Sequence, residues 1–164
     1  MGLAAAFLRT PEEAYGRLEV MATGQSMYAS MMCSHEPKGA IFNCDANGAM
    51  PEILHRMILQ SRPGVLDLLP ALPEAWPRGE ICGIKARQQI SIDRLAWNEK
   101  ERHVTLYLIS EKDQKIVLRL PRAEAIKRIE APAGAVMAQS AEEPPNQRTV
   151  AVGAGITVEF TIRY

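Results

Sequence analysis

Cys33, His35 and Cys44 place two thiols and an imidazole in one short stretch, and metal binding is the chemistry such a set could support. Their spacing fits no zinc pattern. Cys82, the third cysteine, adds neither a CxxC pair nor a disulfide framework. All three are read as buried or free thiols. Just after them, Asp45-Ala46-Asn47-Gly48 brings a carboxylate close to an amide. By residue type this is a good turn sequence, in which Asp45 or Asn47 bonds nearby backbone N–H groups and organises the start of a helix. His55 falls off the apolar face of the helical pattern that follows. It has no acidic or cysteine partner at helical spacing and is read as a solvated surface residue. Glu12, Glu13, Glu19 and Glu52 occupy ordinary cap or surface positions, so none stands out as a proton donor. No metal or organic cofactor is implied.

The elements that must position these residues change character near residue 63. Before it the pattern is helical. Residues 3–8 read as the end of a helix that starts earlier. Thr10, Pro11 and Glu13 then form a start signal for a helix. Tyr15, Leu18 and Met21 or Ala22 follow at helical spacing. Gly24 is expected to weaken or bend this helix, while Met27, Met31 and Met32 continue its apolar side as core filling. The helix should be over by Pro37-Lys38-Gly39. A second helix is expected over 51–60, with Pro51 in its first turn and Ile53, Leu54, Met57 and Ile58 on one apolar face. Ser61-Arg62-Pro63-Gly64 ends it by turn chemistry.

From residue 65 onward the signals are strands. Ile90 and Ile92 alternate with polar residues, as do Val104, Leu106 and Leu108, then Ile116, Leu118 and Leu120. Ile156, Val158, Phe160 and Ile162 alternate most cleanly. Such alternation gives a sheet one buried and one wet face, and several such runs predict an antiparallel, sandwich-like all-β module. Residues 131–148, rich in Pro and Gly, read as a long surface connection. The mixed-sign pieces at 99–102 and 111–113 read as solvated hairpin tips. Trp97 is expected to end a strand in the core, and Trp76 to pack at the junction between the helical part and the β-module. Two helices cannot bury a helical layer by themselves, so the helical part should want more protein beside it.

The bulk numbers exclude several partners. Lys plus Arg and Asp plus Glu are 19 each. That balance argues against a nucleic-acid binder and against a polybasic membrane-surface protein. No apolar run approaches the roughly 18 residues a bilayer span needs. The first nine residues lack a basic region and a cleavage pattern, which makes a poor signal peptide. Hydrophobic residues at 47% provide for a core.

Two segments carry a family resemblance. One is Ile41-Phe42-Asn43-Cys44-Asp45-Ala46-Asn47-Gly48, leading into a helix that closes on Leu59-Gln60-Ser61. The other is Leu68-Leu69-Pro70-Ala71-Leu72-Pro73-Glu74-Ala75-Trp76-Pro77-Arg78-Gly79, followed by Gly83-Ile84-Lys85-Ala86-Arg87. In this order and spacing they resemble the C-terminal part of family 95 glycoside hydrolases, the α-L-fucosidase type. The resemblance covers most of residues 40–110. It implies an α+β chain: residues 1–62 as the last helices of a catalytic (α/α)6 barrel, and 63–164 as an antiparallel β-sandwich-like C-terminal domain. It implies an inverting hydrolase of α-L-fucosides, or of α-L-galactosides, in which a glutamate is the general acid. The attacking water is activated by an asparagine that an aspartate polarises, and that aspartate corresponds to Asp45. The sequence departs from the family's Asp-Gly-Asn-Phe-Gly-Gly at Ala46, Gly48, Ala49 and Met50, which leaves the substrate open. The acid and the asparagine belong to barrel helices upstream of this segment. The implied partners are therefore an oligosaccharide and a missing N-terminal barrel portion, with the chain inactive alone. Two other readings stand beside this one: a non-catalytic carbohydrate-binding or packing module, and a homologue that has lost activity.

Overall fold

The computed structural model describes residues 1–24, 27–30, 32–36, 41–137 and 142–164. The chain divides into two compact units. The first comprises Met1–Leu59 with Pro70–Glu74, and the second Gln60–Leu69 with Ala75–Tyr164.

The first unit is helical. Helix α1 spans Gly2–Leu8 and closes on Arg9 in the left-handed conformation, φ 60. The N–H groups of Arg9 and Thr10 there return to the Ala6 and Ala5 carbonyls, satisfying groups a helix end otherwise leaves open. Helix α2 spans Pro11–Thr23, with Pro11 in its first turn as expected. The Thr10 hydroxyl lies 3.2 Å from the Ala5 carbonyl oxygen and 3.4 Å from the Glu13 carboxylate. The expected continuation of α2 past Gly24 does not occur. Gly24 is extended (ψ 152) and its N–H caps the Val20 carbonyl, so the helix stops there rather than bending. Met27 instead bridges to Cys33. Met31 and Pro37-Lys38-Gly39 lie outside the described residues.

Helix α3 spans Cys44–Ile58. It begins earlier than Pro51 suggested, because the Asn43 side chain accepts the Ala46 N–H at 3.0 Å and caps the first turn. Pro51 is consequently an interior residue with no N–H to offer the preceding turn. Ile53, Met57 and Ile58 are buried, while Leu54 is only half-buried. The helix also stops earlier than expected: Leu59 is extended, and Leu59–Arg62 forms strand β1. Close approach holds α1 on its neighbours. A Cβ at Gly2 would stand 2.9 Å from Ile53 Cδ1 and 3.1 Å from Arg17 Cβ.

The second unit is two sheets. Strands β2 (Val65–Leu68), β6 (Gln114–Arg119) and β8 (Gln147–Val152) join β1 in the order β1-β2-β6-β8. Strands β3 (Arg78–Ala86), β4 (Ile90–Asn98), β5 (His103–Ser110), β9 (Thr157–Arg163) and β7 (Arg128–Glu130) follow that order in a five-stranded sheet. Alternate residues of β5, β6, β8 and β9 are buried, giving the sandwich-like core that the alternation predicted. The β2–β6 pairing differs from an all-antiparallel arrangement: β2 runs parallel to β6, with Asp67 opposite Arg119. Residues 111–113 are not a hairpin tip, since they carry the chain from β5 in one sheet to β6 in the other. The 131–148 stretch is more ordered than its composition implied. Val136 bridges to Val150, and the Ala151 N–H bonds to the Ala135 carbonyl; 138–141 fall outside the described residues.

Trp97 is 7% exposed near the end of β4, and its indole N–H donates to the Trp76 carbonyl at 2.9 Å. Its ring lies on Gly79, the cross-strand neighbour, where a Cβ would meet Trp97 Cζ2 at 2.5 Å. Gly79→Ala is therefore expected to destabilise this unit by about 1–3 kcal/mol through overpacking. A lowered urea midpoint checks this, and an unchanged one would mean that the indole moves aside.

Candidate functional site

Asp45 is the one residue assigned to chemistry from the sequence, and it stands exposed in the first turn of α3. A carboxylate there faces the positive end of the helix dipole, a favourable place for a charge that remains in water. Among the described residues none hydrogen-bonds its side chain. The two asparagines beside it are used differently. Asn43 Oδ1 caps the helix, and Asn47 Oδ1 accepts the Cys33 backbone N–H at 2.7 Å. Cys33 O in turn accepts from the Asn43 N–H at 2.8 Å, and the Ser34 and Phe42 backbones bridge. These bonds tie the segment before α3 to the helix start. Asn43 and Asn47 thus hold the backbone in place and leave the Asp45 carboxylate directed to solvent.

The other candidates separate. Cys33 is buried, whereas His35 and Cys44 are exposed, and among the described residues no three His, Cys, Asp or Glu side chains converge as a metal site would require. His55 is exposed. Glu12 accepts the Glu74 N–H at 2.8 Å, and Glu52 pairs with Arg56 at 2.7 Å on the same helix. The Arg56 guanidinium also stacks 5.1 Å from the centre of the Phe7 ring. Glu12 thus ties α2 to the Pro70–Glu74 segment, and Glu52 braces its own helix.

Sequence reasoning missed an ionic site in the second unit. Asp67 is fully buried, and both its oxygens take bonds from Arg119, at 2.5 and 2.7 Å. Arg62 adds a contact at 3.4 Å. The available signal was an aspartate between two leucines in a strand, a charge that requires a partner when buried. The Leu68–Gly79 stretch of the resemblance is buried over its first half, residues 68–73, whereas Glu74, Ala75, Pro77 and Arg78 are exposed. Leu68, Leu69, Ala71 and Leu72 are all buried, and the Ala71 N–H bonds to the Met57 carbonyl at 3.0 Å.

Residues 60–157 match a family model described as the C-terminal domain of glycoside hydrolase family 95. The chain is also 35% identical over 74 residues to Alpha-L-fucosidase 2 of Arabidopsis thaliana. That similarity covers 44% of this chain and 8% of the relative's length. Asp45 precedes the residues that the family model matches.

Proposed function

Since the chain belongs to glycoside hydrolase family 95 and carries that family's C-terminal domain, we propose that it is the C-terminal part of an inverting hydrolase of α-L-fucosides, or of α-L-galactosides, in glycans. Residues 1–62 then supply the last helices of an (α/α)6 barrel, and 63–164 the β-domain that follows it. The observation that carries this reading is the pairing of the family match with an exposed Asp45 carboxylate on a helix start that Asn43 and Asn47 hold.

Further support comes from the helical unit. Leu8 is 76% exposed, Val20 66%, and Phe7, Ile41 and Phe42 more than half. Several large apolar side chains left in water on short helices and on the segment before α3 favour more protein packed over them.

Inverting hydrolysis needs a proton donor at the leaving oxygen and a base on the opposite face, with room for water between them. An amide is a weak base by itself. A carboxylate hydrogen-bonded to its N–H group raises the acceptor strength of its oxygen and fixes its orientation. Asp45 is assigned that positioning role, acting through an asparagine of the preceding barrel without touching the sugar. The general acid and the asparagine come from outside this chain, so the isolated chain is inactive. Release of the aryl group from an aryl α-L-fucoside checks this. Background rates from the purified chain are expected, and turnover that disappears in Asp45→Ala would overturn the division of labour.

A further inference from the structure

The second unit holds a cavity of about 310 Å³ that the hydrolytic site does not use. Leu68, Leu69 and Leu120 give it an apolar floor. Glu99, Arg102, Arg122, Lys127 and Tyr164 give it a polar rim, with Glu124 beside them. The Tyr164 hydroxyl donates to the Glu99 carboxylate, and the Arg122 guanidinium stands 3.7 Å from the same group. Burial, reinforced by that bond to Glu99, pushes the phenol's pKa above its ordinary value, so the hydroxyl stays a donor at neutral pH.

The backbone adds an independent observation. Arg102 and Leu69 both adopt left-handed φ values, 48 and 53, which are unfavourable for side chains other than glycine. Both line this cavity. Arg102 is held there by its N–H bond to the Glu99 carbonyl and by the Tyr164 N–H on its own carbonyl. Backbone held in sparsely populated conformations concentrates at ligand sites, where the surrounding structure fixes a side chain in place.

The lining chemistry selects the ligand. Planar guanidinium and carboxylate groups can each bond two neighbouring hydroxyls, and an apolar floor suits the C–H face of a sugar ring. The charges nearly balance, two arginines and a lysine against Glu99 and Glu124, so the lining offers polar partners of both signs rather than a strong field for one ion. The volume is at the small end of the ~300–1,000 Å³ range of ligand pockets, which suits one or two rings. We propose that this cavity is a non-catalytic saccharide site that takes a neutral hexose or deoxyhexose unit of the glycan. It rests on the glycan-hydrolase reading for the class of ligand alone.

The test is an amide NMR titration of the 164-residue chain with L-fucose, D-galactose, D-glucuronate and sulfate. Saturable shifts confined to residues near 102, 123–127 and 164 are expected with fucose or galactose. Arg102→Gly should weaken binding about tenfold or more. Its melting temperature should not fall, because glycine accepts this φ freely. Lys127→Gln, on an exposed side chain, is expected to weaken binding in the same direction. Three results would overturn the site: no saturable shift with either neutral sugar, binding of glucuronate or sulfate alone, or sugar binding indifferent to both substitutions. The complete hydrolase separates this failure from that of the catalytic reading. Turnover that depends on Asp45 with an empty cavity removes only the saccharide site, whereas sugar binding with no turnover removes only the hydrolase.

Discussion

Asp45→Asn in the complete hydrolase is expected to lower kcat by about 10²–10⁴-fold, the range a positioned acid–base group contributes. KM should change little, because Asp45 is assigned to act through an asparagine rather than on the sugar. The substitution keeps the size of the side chain and removes its charge. Asp45 stands in the first turn of α3 and is exposed, so its structural contribution is limited to the helix dipole, about 0.3–1 kcal/mol. The two roles therefore give different signatures. A structural role moves the melting temperature slightly and leaves kcat alone, whereas a positioning role moves kcat and its pH profile with little change in melting. Asn47→Ala is the matched control. It removes the bond to the Cys33 N–H, with an expected loss of about 0.5–1.5 kcal/mol of stability. Steady-state rates across pH for both variants decide between the roles. A kcat for Asp45→Asn within twofold of the parent would remove Asp45 from the mechanism.

The strands of the second unit were readable because side chains alternate at a fixed period wherever one face is buried. Val104, Leu106 and Leu108 show it, as do Val158, Phe160 and Ile162, all at most 5% exposed. Which strands pair was not readable, since pairing depends on residues far apart in sequence. The parallel β2–β6 ladder joins residues 65–67 to 117–119, with the strands β3, β4 and β5 between them in the chain. The Trp97 ring on Gly79 and the Asp67–Arg119 pair were hidden for the same reason. Local signals erred where two rules competed. Pro51 suits a first helical turn, but Asn43 supplies a side-chain cap that starts α3 before it. Gly24 read as a bend, but its extended conformation ends α2. Of the candidate site, Asp45 and the turn-forming Asn47 could be picked out by residue type, whereas the Asn47 bond to the Cys33 N–H could not, because its partner lies 14 residues away.

Arg119→Met is expected to destabilise the second unit by about 3–5 kcal/mol, the usual cost of breaking a buried ion pair from one side. Without Arg119, the fully buried Asp67 loses both of its short guanidinium bonds, and Arg62 stands farther off at 3.4 Å. Asp67→Leu should cost less, because Arg119 keeps 19% of its side-chain surface in water and can turn toward it. The asymmetry follows from which partner is desolvated, not from the strength of the bonds, which is shared. Both tryptophans lie in this unit, so their fluorescence during urea denaturation reads its unfolding directly. The double variant Asp67→Leu with Arg119→Met is informative beyond the singles. Buried ion pairs often yield little net stability over well-packed apolar residues, so the double variant should recover most of the loss. What it should not recover is the register of β2 on β6, where Asp67 lies directly opposite Arg119. β2 reaches β6 only after three intervening strands, and a purely apolar pair would tolerate a slipped register. Weakened amide-exchange protection at 65–67 in a double variant of near-normal stability would assign the pair to specifying that register. Normal protection there would assign it to stability alone, and single variants within 1 kcal/mol of the parent would show that the pair is dispensable.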